Sequence, residues 1–199
     1  MTRLPLLTPE LLDHDQRGLY ESIAGGRRAG GPQHFRIRHD DGSLTEPFNA
    51  LLHAPELAAH GSQLGEAVGF ETGFSNRERE IAILTVAAVR DASYEWYAHE
   101  RVGRSLGLTE GELEMLRTGE RVAFSDEREA VVSAVAATLA AGRALDDDAY
   151  GREATVLSER ELVELAVLVG YFDLLSTVLD AFAVSVPEGA DPFEPEGEA

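Results

Sequence analysis

Ser75-Asn76-Arg77-Glu78-Arg79-Glu80-Ile81-Ala82-Ile83-Leu84-Thr85-Val86-Ala87-Ala88-Val89 is the stretch on which the fold reading turns. It opens with Ser-x-x-Glu, a capping box. In this motif the serine oxygen accepts the N–H of the third helical residue, and the glutamate accepts the N–H of the serine. The apolar run 81–89 that follows has no polar face, so the helix expected over 77–90 is buried. The same start chemistry recurs at Thr109-Glu110-Gly111-Glu112, whose helix ends near Gly119, and at Ser158-Glu159-Arg160-Glu161, which opens a long apolar helix to about residue 184. Helices are also expected over 93–106, from Ser125 to about 141, and over 146–154.

Upstream, Thr8-Pro9-Glu10 reads as an N-cap with proline at the first helical position. Leu11, Leu12, Leu19, Tyr20 and Ile23 would face inward, and Gly25-Gly26 would stop that helix. A short helix is expected over 47–53, and a second from Pro55 to about 70. Residues 25–46 read as a long loop carrying His34, Phe35, Arg36, Arg38 and His39, of the length that is usually functional or mobile. No segment joins strand alternation to hairpin turns, so the fold class is all-α. The expected layout is an N-terminal helix and loop (1–46), a core (47–119), helices completing the same domain (120–186) and an acidic tail (187–199). Segments 76–81 and 157–162 look alike, with Glu161 standing where Glu80 does. Two readings fit: a duplicated helical hairpin, or two copies of the same helix-start chemistry.

Acids outnumber bases 36 to 17 over 199 residues, a formal charge of −19. That charge disfavours nucleic acid and anionic membrane surfaces as partners. An anionic substrate would need its own local cation. With no cysteine, thiolate catalysis and cysteine-ligated metals are excluded from this chain. No apolar run is expected to reach the roughly 20 residues that span a bilayer. The N-terminus lacks a signal-peptide core, so a cytoplasmic location is expected. The helix beginning at Leu162 is apolar nearly all round, as is 81–89; two such helices point to a homo-oligomer.

Tyr94-Glu95-Trp96-Tyr97-Ala98-His99 carries the chemistry. On a helix Glu95 and His99 share a face, and a carboxylate beside an imidazole is a proton-transfer unit near neutral pH. Glu95 is expected to hold or polarise His99, or to protonate a carbanion itself. Trp96 and Tyr97 could line a substrate pocket. Asn49 could bind substrate or cap a helix. Arg36, Arg38 and His34 could supply a cation for a carboxylate. His53 and His60 lie across a proline break, and no third ligand stands at metal spacing from Glu95 and His99, so neither metal nor cofactor is expected.

These residues resemble the carboxymuconolactone decarboxylase-like family, which includes the AhpD-like proteins. The resemblance rests on 76–84, on Tyr94 to His99, and on Gly107-Leu108-Thr109-Glu110-Gly111-Glu112-Leu113. Pro32-Gln33, Pro47-Phe48-Asn49 and Gly170-Tyr171 look like a longer subgroup. It implies an all-α bundle, trimers or hexamers, and sites near subunit contacts. The family's peroxidase branch uses a Glu–Cys-x-x-Cys–His relay. Here the relay glutamate falls on Glu80 and the histidine on His99, but the cysteines fall on Ala92 and Glu95, so that chemistry cannot run. The decarboxylase branch keeps a glutamate and this histidine without thiols. Its usual segment after the histidine is replaced by Arg101-Val102-Gly103-Arg104-Ser105-Leu106-Gly107. The expectation is a cofactor-free acid–base enzyme acting on a small carboxylated lactone or related cyclic acid, through His99, Glu95 and Glu80. Glu80 is expected in the first turn of its helix, where a carboxylate also suits the dipole. The alternative is a non-catalytic, oligomeric small-molecule-binding protein on the same fold.

Overall fold

The computed structural model describes residues 2–30, 36–120 and 122–187. Among them the chain is helical, and a single antiparallel bridge, Arg38 to Leu44, is its only β pairing. The helices are α1 (His14–Ala24), α2 (Phe48–Leu52), α3 (Pro55–Phe70), α4 (Asn76–Val89), α5 (Ser93–Ser105), α6 (Glu110–Thr118), α7 (Glu127–Ala140), α8 (Asp147–Glu153) and α9 (Glu159–Ala181). They divide into two compact units, with the boundary at Glu71/Thr72; the first also holds Thr177–Ser185, the end of α9 and the turn after it.

In the first unit the N-terminal helix differs from expectation. Pro9–Leu11 is one 3-10 turn, and Thr8 makes no side-chain cap. Leu12 then extends, and α1 starts from Asp13, whose side chain accepts from Gln16 N–H while the Gln16 side chain accepts from Asp13 N–H. This reciprocal box satisfies two orphan donors, which Thr8 does not do. Leu11 therefore points outward at 66% exposure, while Leu12, Leu19 and Ile23 enter the core. The described part of the expected loop is ordered. Thr45 N–H donates to Ile37 O and His39 N–H to Ser43 O, which folds Ile37 and Leu44 into the core with Phe48, Leu52 and Ala58. His34 and Phe35 lie outside the described residues.

The second unit is built around α4, which packs against α7, α5 and α6. The Ser75–Glu78 box forms as expected, and Ile81, Ala82, Leu84 and Val86 are fully enclosed. Burying each large aliphatic side chain contributes about 1.5–3 kcal/mol. The Thr109–Glu112 box starts α6, and Gly119 ends it in the left-handed conformation at φ 71°. The cap of α7 is Asp126, one residue after the expected Ser125. The Ser158–Glu161 box opens α9, with Ser158 N–H donating to Glu161 Oε2 at 2.8 Å. Glu161 is thus the structural counterpart of Glu78, not of Glu80. Arg128 donates to both, Nε to Glu78 at 2.8 Å and Nη2 to Glu161 at 2.9 Å.

α9 corrects two expectations. It has 23 residues and is long and apolar enough by length and composition to cross a membrane. About half of its apolar stretch is buried within the protein, as in a core helix. It is also two-faced. Leu162, Leu165, Leu168, Val169, Tyr171, Phe172 and Leu175 are buried, while Val163, Val167 and Leu174 face outward.

Candidate functional site

His99 lies at the end of the second turn of α5, and the carboxylate that meets it comes from the neighbouring helix. Its Nδ1 bonds Glu80 Oε2 of α4 at 2.8 Å. An ionised carboxylate only accepts, so Nδ1 carries the proton, and exchange with a bound molecule falls to Nε2. Glu80 is five residues past the Ser75 cap, beyond the first turn where the dipole would explain it. Both side chains are largely enclosed, at 18% and 12% exposure. The Phe172 ring of α9 stands edge-on to the imidazole, with centroids 5.3 Å apart.

Glu95 does not make the expected hydrogen bond to His99. Its Oε2 accepts from Ser176 Oγ of α9 at 2.7 Å, with both residues buried. It still acts on the imidazole through its charge. Burial alone would push the His99 pKa down. The charge and hydrogen bond of Glu80, followed by the charge of Glu95, outweigh that and hold it above its ordinary value.

Trp96 is a core residue at 2% exposure, beside the buried Glu100. Glu100 is a structural ion cluster: Arg104 reaches it at 3.0 Å and Arg101 at 3.7 Å. Burial raises its pKa against the pull of those two arginines. Tyr97 is half-buried, with the Arg101 guanidinium 3.9 Å above its ring. Asn49 and Arg36 belong to the first unit. Asn49 is fully buried; it accepts from Leu7 N–H and donates to Pro5 O and Glu46, which makes it a brace for the N-terminal segment. Arg36 and Arg38 are exposed, and Arg36 pairs with Asp40. Among the described residues no three histidine or carboxylate side chains gather as a metal site.

Ser176 and Phe172 were not singled out from sequence as site residues. A signal exists for Ser176: the buried ridge Leu165, Leu168, Phe172 and Ser176 repeats at helical spacing, and its last member is polar. In the segment that departs from the decarboxylase pattern, Gly103 is a packing residue. A Cβ there would lie 2.7 Å from Leu108 Cδ1 and 3.2 Å from Leu84 Cδ1.

Fold and site define an all-helical protein with a carboxylate–imidazole pair enclosed at a helix crossing. Residues 55–147 match the profile of the Carboxymuconolactone decarboxylase family, and the chain contains no cysteine. Several solved structures share the fold. One is an AhpD-core, uncharacterized peroxidase-related protein from Ralstonia eutropha JMP134, 15% identical, covering 94% of this chain and 93% of that one, with a TM-score of 0.74. The debrominase Bmp8, solved in complex with 2,3,4-tribromopyrrole, is 14% identical over 94% and 95% of the two chains, with a TM-score of 0.67. A peroxidase-related protein from Silicibacter sp. TM1040 is 20% identical over 92% and 90%, with a TM-score of 0.66. A comparison with curated protein sequences gives no match.

Proposed function

We propose that this chain is a cofactor-free, cytoplasmic acid–base enzyme acting on a small carboxylated lactone or related cyclic acid. The observation that carries the reading is the enclosed Glu80–His99 hydrogen bond at the α4–α5 crossing, with the imidazole pKa held above its ordinary value. In the proposed step the C–CO2 bond breaks and CO2 leaves. The electron pair delocalises into the lactone carbonyl as an enolate. His99 then delivers its Nε2 proton to carbon and is reprotonated by water. Glu80 keeps the ring oriented and stabilises its charged form. Thiol peroxidase chemistry has no nucleophile here. The bound tribromopyrrole of the debrominase supports a small ring as ligand at the level of fold analogy.

The test is an ultraviolet assay of a panel of carboxylated lactones with wild-type protein. Consumption of a panel member is expected. The alternative, a binding protein, gains if a panel member raises the melting temperature but is never consumed.

We also propose that the protein is a homo-oligomer, a trimer or hexamer as its resemblance to the carboxymuconolactone decarboxylase-like family implies. The outward apolar positions Val163, Val167 and Leu174 of α9 support this, because such side chains gain by being covered. Val167→Glu is expected to lower the molar mass in size-exclusion chromatography with light scattering while leaving the helical circular dichroism unchanged. An unchanged mass removes α9 from the contact.

A further inference from the structure

We propose that Ser176 is a positioning residue, holding Glu95 as the second carboxylate of the His99 site. Among the described residues Ser176 is the one buried polar residue of α9, on a ridge otherwise made of Leu165, Leu168 and Phe172. A hydroxyl at 0% exposure costs free energy unless it is hydrogen-bonded, and here it donates to Glu95 Oε2 at 2.7 Å. Glu95 is itself 4% exposed, one helical turn before His99. The contrast with Glu100 on the same helix is informative. That equally buried carboxylate is met by the Arg104 and Arg101 guanidinium groups. A hydroxyl does something different. The Ser176 hydroxyl carries no charge of its own, and the charge of Glu95 acts on the imidazole. His99 is then faced by Glu80 from α4, by Glu95 from its own helix and by the uncharged Phe172 ring from α9. Two anions beside one imidazole favour the proton-loaded ring.

The inference rests on the proton-transfer reading of the site, but its test needs no substrate. The readout is an NMR titration of the His99 ring in wild type, Ser176→Ala, Glu95→Gln and the double variant, with folding checked by thermal melts. Losing the hydroxyl removes the bond that holds Glu95 Oε2 and lets the carboxylate move from beside His99. Ser176→Ala is expected to lower the proton affinity of His99 by about 3–10-fold, with Glu95→Gln lowering it at least as much. The double variant should match Glu95→Gln alone, because Ser176 acts through Glu95. Ser176→Cys, close in shape but a weak donor, should move the midpoint in the same direction and covers the case in which alanine unfolds the protein. A midpoint unchanged in Ser176→Ala or Ser176→Cys overturns the proposal. So does an equal drop from Ser176→Ala in the Glu95→Gln background. A protein that consumes no lactone would count against the enzyme reading while leaving this titration fully interpretable.

Discussion

Replacing His99 with alanine lowers turnover on any accepted lactone by about 10²–10⁴-fold, the size of a general acid–base contribution. The expectation follows from geometry. Nδ1 is held by Glu80 Oε2 at 2.8 Å, and the ring is walled by Phe172, so a substrate exchanges its proton with Nε2. Glu80→Gln is the companion variant. It keeps the shape and removes the charge that most strongly opposes the effect of burial. Activity that depends on the imidazolium falls as pH rises through the raised His99 pKa, and in Glu80→Gln this alkaline limb moves to lower pH. The stability linkage has the same sign. With its folded pKa above the ordinary 6.5, His99 contributes stability that is complete below that value and is lost as pH rises through the folded pKa. A pH–rate profile for the three proteins checks the kinetic limb, melting temperatures over the same pH range check the linkage, and full turnover in His99→Ala sinks the mechanism.

The helices of the second unit were legible because their starts are local chemistry. Ser75–Glu78, Thr109–Glu112 and Ser158–Glu161 each satisfy two orphan backbone groups within four residues, and each box forms where its residues stand. The N-terminal helix was misplaced because two start signals compete there. The Asp13–Gln16 box defeats Thr8-Pro9, and Gln16 is a weaker sequence cue than a proline. At the site, His99 and Glu80 were both identifiable, but their pairing was not. Glu95 is the nearer carboxylate in sequence, four residues away. The partner in space depends on how α4 and α5 cross, which no spacing rule encodes. Asn49 is a different case: its sequence position allows a ligand contact or a helix cap, and the folded chain uses its amide to tie down Pro5 and Leu7. The likeness of 76–81 to 157–162 has a physical origin once Arg128 is seen to join the two capping glutamates; the matching frame is Ser75–Glu78 with Ser158–Glu161.

Arg128→Ala is expected to give the largest loss of stability among surface-reaching residues of the second unit. The guanidinium bridges Glu78 of α4 and Glu161 of α9, and its side chain is about one-third exposed, while theirs are 10% and 20% exposed. Removing one partner of a fully buried pair costs 3–5 kcal/mol; discounted for solvent screening, the loss here is about 2 kcal/mol, or roughly 4–8 °C in melting temperature. Acid titration separates charge from packing. The Glu161 carboxyl is held down to about 2, first by the Ser158 hydroxyl, next by the Ser158 N–H, and, against the opposing effect of burial, by Arg128. Its contribution is therefore present above the ordinary 4.5 and lost as pH falls toward about 2, so the gap between wild type and Arg128→Ala should narrow across that window. Arg128→Met keeps the aliphatic stem and should melt close to Arg128→Ala at neutral pH. A methionine variant as stable as wild type would mean that the stem, not the charge, holds the two helices. The bridge also bears on the site. Glu78 fixes the first turn of α4 two residues before Glu80, so loosening it lets the carboxylate that orients His99 wander, and Arg128→Ala should lose turnover as well as stability.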